Sequence, residues 1–339
     1  MSTGFLADQG KPHGDASADL LTGFVPFPED RAQAYREAGY WTGRPLNSIL
    51  TDAAARWPDR TAIVDSATSY SFAELAAVAD RVAAGLAGLG IAEGDRVMVQ
   101  LPNSCQFAVA LFGLLRAGAV PVMCLPGHRT AELGHFAEVS GAVALIVADK
   151  VGGFDYRDMA ATLVAEHSAL RHVIVDGDCA DFVPWSSLVE HPGEPTDRRP
   201  VDPSSPALLL VSGGTTGLPK LIARTHDDYL YNARTCAQTC EMTAQDVYLV
   251  ALPAGHNFPL ACPGLLGSMT VGATTVFTAD PSPESAFALI AKHSVTVTGL
   301  VNALAKLWAQ ACDWEPVLPT SLRYVQVGGS RMSPEDARF

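Results

Sequence analysis

The chain has 339 residues and a formal net charge of −13, with 48% hydrophobic and 17% charged residues. That is enough apolar material for more than one core and too little charge for a disordered chain, and the acidic balance argues against a nucleic-acid binder, which needs a basic face. Seven cysteines with no C-x-x-C pair exclude an obvious disulfide framework or zinc site and read as the reduced thiols of a cytoplasmic protein.

Residues 1–45 read as an irregular segment, and the first residues lack the basic-then-apolar pattern of a signal peptide. A helix is expected over Leu46–Ala55. Another begins at Ser71, whose hydroxyl forms a capping box with Glu74; Phe72, Leu75, Val78, Val82, Leu86 and Leu89 trace its apolar face and Gly90 closes it. Short apolar runs at Val97–Leu101, Val120–Cys124, Ala144–Val147, Val173–Val175 and Ala207–Val211 then read as buried parallel strands. Helical patterns lie between most of them, such as Cys105–Arg116 and Ala131–Val139. The most apolar stretch, Phe107–Leu125, carries Gly113, Arg116, Gly118 and Pro121. It therefore reads as helix, turn and strand rather than a membrane span, and a soluble protein with no membrane partner is expected.

After a polar, Pro-rich linker over His191–Pro206 the alternation resumes. Strands are expected at Val247–Ala251, Thr274–Phe277, Val295–Leu300 and Tyr324–Val327, and helices near Asp227–Cys240, Pro283–His293 and Asn302–Ala311, with Ser282-Pro283 supplying a cap and first turn. The pattern predicts an α/β protein with mostly parallel sheets in two packed, doubly wound halves, over residues 46–206 and 207–339. Ser333-Pro334-Glu335-Asp336 has the make-up of a helix start, yet the sequence stops at Phe339, so a fragment of a longer protein is expected.

The most informative segment is Leu208-Leu-Leu-Val-Ser-Gly-Gly-Thr-Thr-Gly-Leu-Pro-Lys220. A buried strand runs into a loop with hydroxyls on Ser212, Thr215 and Thr216. Gly213, Gly214 and Gly217 let a ligand approach the backbone, and Lys220 supplies a cation. Backbone N–H groups, hydroxyls and a cation in one loop suit a polyphosphate, although a Walker A pattern cannot be fitted. This run resembles the phosphate loop of the adenylate-forming superfamily of acyl-CoA synthetases, peptide-synthetase adenylation domains and luciferases. The resemblance implies the large N-terminal domain of such an enzyme, ATP as co-substrate, and joining of a carboxylate to AMP with release of pyrophosphate. It also implies that the Mg²⁺-binding segment, a ribose-binding Asp and a C-terminal domain with a catalytic Lys lie beyond this chain, so that little activity is expected of the chain alone; no metal ligand is assigned within it.

A second segment, Ala251-Leu-Pro-Ala-Gly-His-Asn-Phe-Pro-Leu-Ala-Cys-Pro-Gly264, resembles the aryl-acid AMP ligases of siderophore pathways. In that branch Asn257 would stand where amino-acid-activating relatives carry an Asp for the substrate ammonium. An aryl acid has no ammonium, so a buried Asp there would remain an unpaired charge, whereas an amide can hydrogen-bond the carboxylate or the 2-hydroxyl. Phe258 would line the ring pocket. Cys262 matches a position that resembles salicylate enzymes in having Cys and dihydroxybenzoate enzymes in having Ser. His256 would help hold the phosphate or close the pocket and, with Lys220, is assigned to catalysis. In Tyr324-Val-Gln-Val-Gly-Gly-Ser330, Gly328, Gly329 and Ser330 would pack on adenine, with Gly328 also facing the aryl ring. The resemblance implies a salicylate-activating ligase that passes the aryl group to the phosphopantetheine thiol of an aryl carrier protein. The alternatives left open are a 2,3-dihydroxybenzoate AMP ligase, a benzoate-type CoA ligase, or a non-catalytic aryl-adenylate-binding fragment.

Overall fold

In the computed structural model, residues 23–193, 201–213, 217 and 219–334 are described. Two largely parallel sheets carry the fold. The first has seven strands in the order Leu221–Thr225, Pro206–Val211, Val120–Met123, Arg96–Gln100, Ala144–Ala148, His172–Asp176 and Val183–Pro184. All of its pairs are parallel except the hairpin Pro206–Val211 with Leu221–Thr225. The second has six strands in the order Tyr324–Gly328, Val297–Val301, Val247–Val250, Thr274–Phe277, Thr61–Val64 and Ser69–Ser71, with only the last pair antiparallel. The sheets are not divided at residue 206. The hairpin after it belongs to the first sheet, and Thr61–Val64 and Ser69–Ser71, far before it, join the second.

The helix Phe72–Gly88 starts as its sequence dictates. The Ser71 N–H donates to Glu74 Oε2 at 2.8 Å and the Glu74 N–H to Ser71 Oγ at 3.2 Å, satisfying two end donors reciprocally. Phe72, Leu75, Val78, Val82 and Leu86 are all buried, and Gly90 takes a positive φ of 76°. Next to it, Cys105–Ala117 is apolar on every side and almost wholly buried, because it packs on both sheets and on the helix Phe72–Gly88. Gly113 makes that approach possible, since a Cβ there would overlap Val82. Arg116 and Asp80 tie the two helices together at 2.7 Å. The Phe107–Leu125 stretch thus resolves into helix, left-handed Gly118 and the strand Val120–Met123. Among the described residues no helix is long and apolar enough to cross a membrane.

Three expectations need comment. The segment read as irregular, 1–45, contains the helix Glu29–Glu37. It buries only Ala32, so no apolar stripe announced it; Pro28 followed by Glu29 and Asp30 was its one signal, two acids at the positive helix end. Residues 194–200 of the expected linker, and Glu335 and Asp336 of the expected last helix, lie outside the described residues.

Candidate active site

The strands Val247–Val250, Val297–Val301 and Tyr324–Gly328 are parallel, so the segments that follow them emerge at one sheet edge. In open α/β sheets the carboxyl edge is where ligands bind. Two of these segments are held by groups remote in sequence. Asn103 pins the one after Val250: its Nδ2 donates to the carbonyls of Leu252 and Thr278, both at 3.0 Å, and its Oδ1 accepts from the Ala254 N–H at 2.8 Å. Gly255 then passes so close to the Cys124 carbonyl that a Cβ would lie 3.3 Å from it. His256 follows as the cap of the helix Asn257–Ala261, Nδ1 accepting from the Phe258 N–H at 3.3 Å. That bond needs an unprotonated Nδ1, and desolvation lowers the His256 pKa in keeping with it. After Tyr324–Gly328, Gly329 turns at a φ of 84°. Asn302 Nδ2 holds that turn through Ser330 Oγ at 2.7 Å and the Arg331 carbonyl at 3.1 Å.

The helix His226–Thr239 supplies the other wall. Its capping box joins Thr225 and Asp228, with the Thr225 N–H to Asp228 Oδ2 at 2.8 Å and the Asp228 N–H to Thr225 Oγ1 at 3.1 Å. This start sets Tyr229, Asn232 and Cys236 on one face at helical spacing. The Tyr229 hydroxyl donates to Asn257 Oδ1 at 3.0 Å, and burial keeps that phenol protonated by raising its pKa. With Oδ1 so engaged, the Asn257 amide turns Nδ2 toward Cys262 Sγ at 3.5 Å. Asn232 Nδ2 donates to the Ala261 carbonyl at 2.8 Å and approaches Cys262 Sγ at 3.7 Å. The Phe258 ring lies across two glycines: a Cβ on Gly328 would sit 3.0 Å from it and one on Gly299 3.2 Å. Asn257, Phe258, Cys262 and Gly328, named from the sequence as an aryl-binding set, therefore meet in one place.

The Gly/Thr loop is the turn of the hairpin in the first sheet. The Ser212 N–H donates to the Lys220 carbonyl at 2.9 Å and the Lys220 N–H to Ser212 Oγ at 2.8 Å, closing its neck. Lys220 and Gly213 are exposed, and Gly217 has a φ of 154° that a side chain would strain. Gly214, Thr215 and Thr216 lie outside the described residues. The loop joins the pocket through the short strand Leu221–Thr225 and the helix that follows. Sequence reasoning missed Asn103, Tyr229, Asn232 and Asn302. Tyr229 and Asn232 were readable as one face of an expected helix; Asn103 and Asn302 act on backbone remote in sequence and left no local trace.

Residues 50–339 match the family model described as AMP-binding enzyme. The chain belongs to that family. Among its AMP-binding relatives, a salicyl-AMP ligase / salicyl-S-ArCP synthetase of Mycobacterium tuberculosis is 65% identical over 98% of this chain and 59% of its own length. A 2,3-dihydroxybenzoate-AMP ligase of Bacillus subtilis is 43% identical over 94% of the chain and 59% of its length. The apo structure of Mycobacterium smegmatis MbtA superposes with a TM-score of 0.89 at 63% identity, over 94% of this chain and 58% of that one. The α/β architecture is thus that of the N-terminal part of adenylate-forming enzymes, and the chain spans somewhat over half the length of these relatives.

Proposed function

We propose that the protein activates an aryl carboxylic acid, salicylate first, by joining it to AMP. A carboxylate oxygen attacks the α-phosphorus of ATP, the bond to the β-phosphate oxygen breaks, and pyrophosphate leaves with that electron pair. The aryl group then passes to the phosphopantetheine thiol of a carrier protein. No enzyme nucleophile is needed, so rate enhancement comes from alignment and charge stabilisation. Ser212, Gly213, Gly214, Thr215, Thr216, Gly217 and Lys220 would cradle the phosphates. Gly328, Gly329 and Ser330 would face adenine, and His256 would hold the phosphate or close the pocket. Among the described residues no three His, Cys, Asp or Glu side chains converge on a point that could hold a metal. The Mg²⁺ implied by the family resemblance would, when bound, offset the charge of the leaving pyrophosphate.

The observation that carries this reading is the Asn257 amide. Tyr229 fixes its oxygen at 3.0 Å, which presents its N–H bonds to the pocket and leaves one for an acceptor such as a carboxylate or a phenolic oxygen. A group that only donates suits an aryl acid and does nothing for an ammonium. Cys262 narrows the choice by size: its sulfur is bulkier than a hydroxyl oxygen and favours C–H over O–H at the neighbouring ring position. The seven free thiols suit a reducing cytoplasm. The test is pyrophosphate exchange into ATP by the protein expressed from its complete coding sequence. Salicylate should exceed 2,3-dihydroxybenzoate in kcat/KM, and Cys262→Ser should narrow that gap. Equal or reversed preference removes the assignment, and product analysis with CoA against a carrier protein decides the acceptor.

A further inference from the structure

Two cysteines meet in the wall of the ring pocket. Cys236 lies on the helix His226–Thr239 and Cys262 directly follows Asn257–Ala261. Cys236 stands one turn beyond Asn232 on that helix, and the Asn232 and Asn257 amides approach the Cys262 sulfur at 3.7 and 3.5 Å, which brings the two thiols near enough to influence each other. Both cysteines are partly accessible. Cys236 opens onto a cavity of about 370 Å³ lined also by Tyr40, Arg224, Tyr231 and Asn232, a route for a small polar oxidant. We propose that Cys236 and Cys262 form an oxidisable dithiol pair whose disulfide shuts the ring pocket reversibly.

The surroundings favour the first step. The neighbouring Cys236 thiol is the largest influence holding the Cys262 pKa down, to about 6, against desolvation, with Asn232, Arg224 and Asn257 adding to it. The same pairing pushes Cys236 up, so Cys262 is the nucleophile and Cys236 the resolving thiol. The Cys262 sulfur attacks hydrogen peroxide, becomes a sulfenic acid and releases hydroxide, which takes up the thiol proton as water. The Cys236 sulfur then attacks that sulfur and expels a second water. Two thiols lose two electrons and two protons, and one peroxide is reduced to two waters. The other cysteines are placed otherwise. Cys105 and Cys124 are buried, with burial raising both pKa values; Cys240 caps the helix end one turn beyond Cys236; Cys179 and the exposed Cys312 lie elsewhere in the chain.

Bonding distance between the sulfurs is about 2.05 Å, so the disulfide draws Cys262 toward the helix and takes its sulfur from the Asn257 amide. Loss of ligand binding follows if the pocket is the aryl-acid site; that clause rests on the proposed function, whereas the disulfide does not. The protein is treated with a small excess of hydrogen peroxide and followed by intact mass and by binding of salicylate and a stable salicyl-adenylate mimic. Trypsin leaves Cys236, Cys240 and Cys262 in one peptide, since no Lys or Arg lies between Arg234 and Lys292; cleavage after Glu241 separates Cys262 from the other two. The expected result is a loss of about 2 Da, a Cys236–Cys262 linked peptide that persists in Cys240→Ser, and at least a ~10-fold drop in affinity restored by dithiothreitol. Cys236→Ser, compared with its own reduced state, should instead oxidise at Cys262 beyond recovery by dithiothreitol. A Cys236–Cys240 link, or direct overoxidation of Cys262 in the unaltered protein, overturns the pair, and a formed Cys236–Cys262 disulfide with unchanged binding overturns the closure. If the pair forms but the reduced protein binds neither probe, the dithiol stands and it is the aryl-acid reading, with the closure built on it, that falls.

Discussion

Replacing Asn257 with Asp tests the centre of the site with one atom. The Tyr229 hydroxyl can still donate to one carboxylate oxygen at the present 3.0 Å, so the side chain keeps its place. The other oxygen then occupies the Nδ2 position, 3.5 Å from Cys262 Sγ, and a donor becomes a negative charge. Two unit charges at that separation repel by about 5 kcal/mol at an effective dielectric of 20, a ceiling for the effect. The system relieves that repulsion by protonating one partner. Cys262, held down to about 6 in part by the Asn257 amide, should rise past the ordinary thiol value of about 8.5. The rate of Cys262 alkylation by iodoacetamide at pH 7, read by peptide mass spectrometry, should fall more than ~10-fold. Salicylate brings its own carboxylate into the same space, so its affinity should fall by about two orders of magnitude or more. An Asp variant that alkylates at the unaltered rate would show that the amide does not face Cys262. One that binds salicylate normally would show that it does not face the ligand.

Three further outcomes follow from the geometry. Gly328→Ala sets a Cβ 3.0 Å from the Phe258 ring and pushes that ring into the pocket; stability should fall by about 1–2 kcal/mol and the KM for the aryl acid should rise, while an unchanged KM would place the ring elsewhere. Asn103→Ala strips a donor from the Leu252 and Thr278 carbonyls and the acceptor of the Ala254 N–H; urea unfolding should show a loss of about 2–3 kcal/mol, and a change within 0.5 kcal/mol would mean the loop holds itself. His226 is buried, accepts the Leu46 N–H on Nδ1 at 3.0 Å and is pushed down to about 4 by desolvation. The unfolded chain binds that proton near pH 6.5, so stability is full above pH 6.5 and falls by about 3 kcal/mol as the pH drops to 4. His226→Gln should flatten that part of the urea-midpoint profile, and an equal slope in the variant would assign it to other groups.

What the sequence disclosed divides along the range of the forces involved. The helix from Ser71 was legible to the residue because its cap, its apolar face and its terminal glycine act within a few residues of one another. The Cys105–Ala117 helix was legible in type but not in setting, since an all-round apolar pattern says only that both sides are covered. The interleaving of the sheets was not legible. Thr61–Val64 is four residues long, and whether it pairs with Thr274–Phe277 or with a nearer strand is decided by packing across more than two hundred residues. The same range separates which site residues are present from how they are aimed. Asn257 and Cys262 stood out through the resemblance of the run 251–264 to aryl-acid AMP ligases, in which the residue types at these two positions go with the proposed substrate. That the amide presents its nitrogen is set by Tyr229, 28 residues earlier, and the course of its loop by Asn103, about 150 residues earlier. Orientation is what converts an asparagine into a donor for a carboxylate. The chemical identity of this site is therefore a local property of the chain, whereas its specificity belongs to the fold, and a substitution at Tyr229 or Asn103 should alter substrate choice without touching a ligand-facing atom.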